Sequence, residues 1–444
     1  MFTHYPAIDL SMPFALCWLR RDLRLHDHHA LYQALKNHPH VLPLFIFDRD
    51  ILDPLTNKKE ARVHFIHEEV AALHKRLVSM GSTLLVMEGK PLAIFEQIIR
   101  KYKILGVYAN EDYEPYARQR DEEANALLSS QGIPFYTCKD HVIFSPKEVM
   151  KKDRASYTVY TPYMKQWKKQ YEVSMVAPFD VQRYQANFVR TRPFPLPTLQ
   201  SLGFEATEIP FPSRELDTKT LQSYEQRRNS LGVDGTSHLG IHLRFGTLSI
   251  REVTKAAYEH SDIWTQQLIW RNFFIMVLRH FPHVVDRAFK PMYDRIPWSQ
   301  DTQAFQAWCE GKTGFPIVDA GMRELNATGF MHNRARMITA TFLTKLMLID
   351  WRWGEAYFAE KLLDYELASN NGNWQWAAGT GCDAAPYFRI FNPMRQAERF
   401  DPTQAYVKKW VPEYGSLDYP EPILDYTLAR QRALETYKKA LQKR

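Results

Sequence analysis

Cysteine is scarce in this 444-residue chain: Cys17, Cys138, Cys309 and Cys382 stand far apart, and no two form a Cys-x-x-Cys pair. That spacing argues against a structural zinc site and a disulfide framework, and it suits a reducing, cytoplasmic setting. Long apolar runs are missing as well. None approaches the ~20 residues that span a bilayer, so no membrane association is expected. The N-terminus lacks a basic-then-apolar signal pattern, and residues 1–12 read as a short, loose leader. No Gly-x-Gly-x-x-Gly follows the first apolar run, which removes the ordinary dinucleotide fingerprint. Internal repeats and low-complexity tracts are absent too.

What is present is globular. The length exceeds what one core usually supports, so two domains are expected. Hydrophobic residues make up 45% and charged residues 24%, which leaves no room for extensive disorder. Lys and Arg number 57 against 50 Asp and Glu, a net charge of +7. Spread evenly, that excess only solvates a surface; gathered on one face, it suits a polyanion. Aromatic residues reach 14%, and of the 11 tryptophans only Trp18 and Trp167 precede Trp264. Most large aromatics fill cores, but a tryptophan-rich half is also what a stacked cofactor or an extruded base needs.

The first third alternates apolar runs with amphipathic stretches. Strands are expected at 14–19, 41–47, 84–87, 105–109 and 134–138, with helices at 28–37, 59–80, 91–102 and 115–131. Alternation of this kind implies a doubly wound, five-stranded parallel sheet in an α/β domain over 13–140. Asn110-Glu-Asp-Tyr-Glu114 follows the fourth strand, where such sheets bind ligands. Residues 141–215, with Arg192-Pro-Phe-Pro-Leu-Pro197 and Pro210-Phe-Pro212, read as a long linker wrapped over the surface. From 216 to 444 the pattern is that of an all-α domain.

Gly311-Lys-Thr-Gly314 lacks the glycine that a phosphate loop needs five residues before Gly311, where Gln306 stands, and it reads as a loop before a helix near Pro316. His26-Asp-His-His29 and the His64/His67 pair lack a third ligand, so they read as solvated histidines, and no metal is expected. The stronger signals lie later. Asp234-Gly-Thr-Ser-His-Leu-Gly240 is a turn dense in hydroxyl and glycine residues, suited to a pyrophosphate, although capping loops look the same. Ser369-Asn-Asn-Gly-Asn-Trp-Gln-Trp-Ala377 sets neutral amides beside two tryptophans, a pairing able to hold a polar heterocycle. Met331-His-Asn-Arg-Ala-Arg-Met337 places Asn333 and Met337 one helical turn apart, with Arg334 and Arg336 among them and Asp364 available to Arg336. Pro386-Tyr-Phe-Arg-Ile-Phe-Asn-Pro393 adds an arginine among aromatics. Basic residues interleaved with aromatics suit extruded or single-stranded bases.

These segments, together with Leu16–Asp27, Asp112-Tyr-Glu-Pro115, Gly311–Arg323, Phe330–Thr339 and Asp350-Trp-Arg352, resemble the photolyase and cryptochrome family, in particular bacterial photolyases for cyclobutane pyrimidine dimers. The resemblance runs from about residue 13 over essentially the whole chain. It implies an α/β antenna domain, a linker and a helical domain that buries a bent FAD. By the same resemblance, Tyr224, Thr236, Ser237, His238, Leu239, Gly240 and Trp264 match FAD contacts. Asn370 looks like the asparagine facing the flavin N5, and Arg336 and Asp364 look like the ion pair across the ring. Trp374, Trp351 and Trp298 match the chain that carries electrons to the flavin. Lesion and DNA contacts carry over to Gln267, Trp270, Arg271, Asn333, Arg334, Met337, Trp376 and Gln396, with Arg228 and Arg389 on phosphates. The implied reaction is electron donation from excited, reduced, anionic FAD to a flipped-out dimer in ultraviolet-damaged DNA, with no protein nucleophile. A tryptophan wall can stack on that dimer.

The chain departs from the family at several positions. Gln267 stands where dimer photolyases carry a glutamate; a neutral amide still donates and accepts, but it cannot stabilise charge as a carboxyl can. The (6-4) photolyases share the glutamine, yet they carry histidines where this chain has Asn333 and Met337, so dimer repair is the expected chemistry. Asn272 replaces an acid, Gly240 a serine, Phe330 a tryptophan and Leu346 a polar residue, and the stretch between Glu413 and Tyr419 is short. Val284-Val285 replace a basic-cysteine pair that helps some relatives hold folate. Glu114 is retained as an antenna contact, but the antenna chromophore is left unassigned. The alternatives are a (6-4) photolyase or a cryptochrome-like blue-light receptor, the latter disfavoured because the chain ends soon after its last helix. A monomer with no obligate protein partner is expected.

Overall fold

The computed structural model describes residues 12–442, and the expected leader lies outside them except for Met12. Two compact units are interleaved along the sequence. One gathers residues up to 145 with 172–214 and 241–255; the other gathers 146–171, 215–240 and 256 onward. The stretch read as one linker is therefore shared between them.

The first unit holds a five-stranded sheet of β1 (Phe14–Leu19), β2 (Val41–Asp48), β3 (Leu85–Gly89), β4 (Ile104–Asn110) and β5 (Phe135–Cys138). The order is β3-β2-β1-β4-β5 and every pairing is parallel. Leu16 of β1 pairs Leu42 on one side and Val107 on the other. All six residues of β1 are buried, as the continuous Phe-Ala-Leu-Cys-Trp-Leu run requires of a strand covered on both faces. The helices Pro91–Lys101 and Pro115–Ser130 each start on a proline, which has no N–H to leave unpaired in the first turn.

The carboxyl ends of β1 and β4 form the switch point of this sheet, where a ligand would be sought. Here side chains of the unit itself occupy it. Arg21 reaches Asp112 at 3.0 Å and Glu114 at 3.1 Å, and Arg244 reaches Glu114 at 2.6 Å. Glu114, which the resemblance offers as a possible antenna contact, is paired with two guanidinium groups. Of the histidines expected to be solvated, His26 is exposed, but His28, His64 and His67 are held within the unit. His28 is fully buried, with Nε2 3.0 Å from Asp22 and Nδ1 accepting the Leu31 N–H to cap the first helix. His67 Nε2 donates to the Pro197 carbonyl at 2.9 Å, and the Thr207 N–H donates to His64 Nδ1. Backbone and carboxylate partners from distant segments, invisible in the local sequence, hold these rings.

The second unit is helical. One core of it packs Trp308, Val318, Leu343, Trp351 and Trp374 around the Pro316–Thr328 and Leu367–Ala378 helices. The region read as a linker wrapped over the surface contains a helix at Tyr160–Gln170, which buries Tyr160, Tyr163 and Trp167 at i, i+3 and i+7. Among the described residues no helix is long and apolar enough to cross a membrane.

Candidate functional site

The candidate site is assembled in the helical unit by the helices Thr218–Arg227, Asp262–His280, Asn333–Thr341 and Leu367–Ala378. The Asp262–His280 helix packs on both Thr218–Arg227 and Leu367–Ala378, and Asn333–Thr341 packs on Leu367–Ala378. Residues far apart in sequence therefore face a common region.

The Arg336 guanidinium forms a bidentate pair with Asp364, at 3.1 and 2.9 Å, and its Nε donates to the Met331 carbonyl at 2.7 Å. Both side chains of the pair are about a quarter exposed, so the pair borders open space. Gly240 lies against it: a Cβ there would sit 2.7 Å from the Asp364 Cβ, so the serine common at this position could not keep this backbone path. The turn before it is braced internally. His238, at φ +51°, holds Asp234 at 3.0 Å and Thr236 at 3.3 Å, and its ring lies 4.3 Å from Phe330. Thr236 and Ser237 are half-buried and Leu239 is buried. Tyr224 is covered by the Arg228 guanidinium at 5.4 Å, and burial pushes its phenol up. Trp264 is buried.

Asn370 is buried, and its Nδ2 donates to Glu355 twice, to Oε1 at 2.9 Å and to the backbone carbonyl at 3.1 Å. Two acceptors on one nitrogen fix the amide's orientation and leave Oδ1 as an acceptor directed elsewhere. Burial pushes the Glu355 carboxyl up, against the lowering effect of the Asn370 bond. Nothing local in the sequence around Glu355 points to this role. A neutral amide oxygen, a closed ion pair and a turn of hydroxyls and backbone N–H groups fit a polar, neutral heterocycle carrying a pyrophosphate.

The positions matched to the lesion divide into two groups. Trp270 and Trp376 line one cleft together with Phe274, Gly372, Gln375 and Asp383. Tyr160, unforeseen in the sequence, covers one face of Trp270 at 3.5 Å and 5°. Phe274 lies 5.4 Å from Trp270 at 28°. Trp270 is therefore a braced wall, with one face already stacked within the protein. Gln267 donates its Nε2 to the Ile263 carbonyl at 3.1 Å, and Arg271 pairs with Glu366 at 2.8 Å. Asn272 accepts the Trp167 indole N–H at 3.1 Å.

The second group is basic. Arg334 donates to Asn229 Oδ1 at 2.6 Å and to the Met337 sulfur at 3.6 Å, while Asn333 lies 3.8 Å from the same sulfur. Burial lowers the Arg334 guanidinium below the ordinary arginine range, and Arg228, Arg399 and Arg389 lower it further. Arg334 and Arg399 both lie over the Phe400 ring, at 4.2 and 5.2 Å. Arg389 and Phe388 are exposed, and Gln396 is half-exposed on the Pro393–Phe400 helix. Arg399 escaped the sequence reading because it lies beyond the aromatic-basic segment.

The three tryptophans of the expected electron chain all pack in the main core or against it. Trp374 and Trp351 are buried, and Trp298 is half-exposed beside Tyr437 at 6.1 Å. Trp374 meets Phe358 at 4.9 Å and Trp308 at 6.1 Å.

Residues 15–182 match the family DNA photolyase, and residues 264–418 match the FAD binding domain of DNA photolyase. Deoxyribodipyrimidine photo-lyases of a Synechococcus strain and of Escherichia coli are each 35% identical to this chain. The first covers 95% of it and is itself 96% covered; the second covers 96% and is 98% covered. That of a Thermus thermophilus strain is 37% identical over 94% of this chain and 97% of its own. Among solved structures, a class III photolyase from Agrobacterium tumefaciens superposes with a TM-score of 0.87 at 30% identity, covering 99% of this chain and 100% of its own. A Synechocystis cryptochrome superposes with a TM-score of 0.81 at 26% identity, over 96% and 99% of the two chains.

Proposed function

The chain belongs to the DNA photolyase family, and from that premise we propose that it splits cyclobutane pyrimidine dimers in ultraviolet-damaged DNA. It is a light-driven DNA repair enzyme of the deoxyribodipyrimidine photo-lyase type, and it binds FAD. When bound, FAD supplies the photoexcited one-electron donor.

The protein's own share is binding, orientation and electrostatics. The Arg336–Asp364 pair, the Thr236–Gly240 turn, Tyr224 and Trp264 would hold the cofactor. Asn370, aimed by Glu355, offers a neutral acceptor to an N–H of the flavin ring. Trp374, Trp351 and Trp298 relay electrons inward from the half-exposed Trp298. Trp270, backed by Tyr160, and Trp376 give the extruded dimer apolar walls, and Gln267 and Asn333 offer it amides. Extrusion is cheap at a lesion that already stacks poorly. Arg271, paired with Glu366, and Gln396 complete the lesion rim.

The observation that carries the DNA reading is a partly buried Arg334 that shares the Phe400 ring with Arg399 and bonds Asn229 beside Arg228, with an exposed Arg389 among its charged neighbours. Guanidinium groups repel one another, so such a cluster suits a polyanion that passes between them. Dimer splitting is favoured over (6-4) repair because Asn333 and Met337 cannot exchange protons as paired histidines can. The test is repair of defined oligonucleotides carrying either a cyclobutane dimer or a (6-4) product, with reduced flavoprotein in light and in darkness. Repair of the dimer alone, in light alone, is expected. Repair of neither lesion would sink the proposal.

A further inference from the structure

His332 is the N-cap of the Asn333–Thr341 helix and is 5% exposed. Three bonds fix it. Its Nδ1 accepts the Arg334 N–H at 3.1 Å, its own N–H donates to Glu324 Oε2 at 3.1 Å, and its carbonyl accepts the Arg336 N–H at 3.0 Å. Glu324 is itself held by the Tyr406 hydroxyl at 2.6 Å. Burial, and then Arg334 and Arg336, push the imidazole down to about 4, so the ring is neutral at physiological pH.

A neutral ring whose Nδ1 accepts carries its proton on Nε2. That N–H is buried and meets no acceptor in good geometry, although the Arg228 backbone lies near enough to support the ring's basicity. An orphaned buried donor is costly, so an unfilled one needs a reason. The same surroundings contain a second orphan, the Nε–H of Arg334, whose other end holds Asn229. His332 thus adjoins both the backbone of Arg334 and the turn that carries Arg228 and Asn229.

We propose that His332 is a positioning residue that sets the spacing of Arg228 and Arg334 for the DNA backbone, its Nε2–H closing onto the Arg228–Asn229 turn as phosphate draws that turn in. The inference rests on the DNA-binding reading above and gives it a neutral hinge among charged contacts.

His332→Asn separates this role from helix capping. Asparagine is a strong N-cap whose side-chain oxygen can still accept the Arg334 N–H, but it carries no group that reaches as far as Nε2. The measurement is dark affinity for a dimer-containing duplex over a series of salt concentrations, for the wild type, H332N, R228A and the double variant. In H332N, FAD content and a melting temperature within about 2 °C of wild type are expected. Affinity should fall about fivefold or more, with the salt slope reduced by about 0.9, as for loss of one phosphate contact. The double variant should bind no more weakly than R228A alone, because the two changes remove one arrangement. Wild-type affinity and slope in H332N would end this inference alone. So would additive losses in the cycle, which can be read at a lower temperature if H332N melts early. A wild type whose binding ignores both salt and lesion would end the DNA reading as well.

Discussion

Glu355 accepts both hydrogen bonds of the Asn370 amide nitrogen, through its side chain at 2.9 Å and its backbone at 3.1 Å. The side-chain bond is what Glu355→Leu removes; Glu355→Gln keeps an acceptor oxygen in the same place. The leucine variant should therefore reoxidise its reduced flavin severalfold faster in air, while the glutamine variant stays near wild type. Absorbance at the flavin bands after chemical reduction gives the rates. Equal rates in all three would show that the orientation of Asn370 does not matter to the flavin.

Gly354 allows two helices to approach closely. A Cβ at this position would lie 2.1 Å from Trp374 Cη2 and 2.6 Å from Leu343 Cδ2. Gly354→Ala must therefore move Trp374, and overpacking of this kind costs about 1–3 kcal/mol. A lower denaturation midpoint is expected, together with slower photoreduction, in the direction of Trp374→Phe. Both variants should repair normally once chemically reduced. If Trp374→Phe lost repair as fully as photoreduction, its place in the electron chain would be refuted.

Much of this architecture is legible in the sequence because it is written in local periodicity. The Phe14–Leu19 run and the helical spacing of Val63, Val70, Leu73 and Leu77 each satisfy a local rule. The Tyr160, Tyr163 and Trp167 spacing satisfies the same rule, but the surrounding prolines and lysines make the stretch look irregular. What periodicity cannot give is a partner. Glu355 and Asn370 meet across a helix–helix contact, Tyr160 reaches Trp270 over more than 100 residues, and His28 is buried by Asp22 and Asn110. The solvated reading of His28 fails because a polar side chain is taken as exposed until its buried partners are known. Gly311–Gly314, by contrast, is the loop its sequence suggests, before the Pro316–Thr328 helix, and Gly311 at φ +64° also closes the Thr302–Glu310 helix.

Lys345 is fully buried, its Nζ donating to the Tyr387 carbonyl at 3.1 Å above the Tyr437 ring at 4.4 Å. Burial pushes its pKa down to about 7. The unfolded chain therefore binds more protons than the folded one between about pH 7 and the ordinary lysine range, and stability from this group rises with pH across that window. Below pH 7 both states are protonated and the full penalty of the buried charge persists. Lys345→Met should stabilise the protein by about 1–4 kcal/mol at pH 6, with the gain shrinking toward pH 10. Urea midpoints for the two proteins at several pH values measure this; a gain that grew with pH would contradict the sign.

Gln267, which the proposal sets at the lesion rim, donates one amide N–H to the Ile263 carbonyl at 3.1 Å, which leaves its second N–H and its oxygen to meet a base. A neutral amide can accept an N–H from a thymine ring and donate one to a carbonyl, but it has no acidic proton to give where negative charge develops. A carboxyl group in its place, carrying a proton, can donate there, and such donation is worth most where charge appears during the reaction. Gln267→Glu also gives up the Ile263 bond, a loss softened because that carbonyl belongs to a helix and already has a backbone donor in reach. Dark affinity for dimer-containing DNA should change less than about threefold, whereas the repair yield per absorbed photon should rise. The rise should fade as pH climbs through the range where the new carboxyl ionises. An unchanged yield at every pH would mean that residue 267 shapes the pocket without acting on the charge.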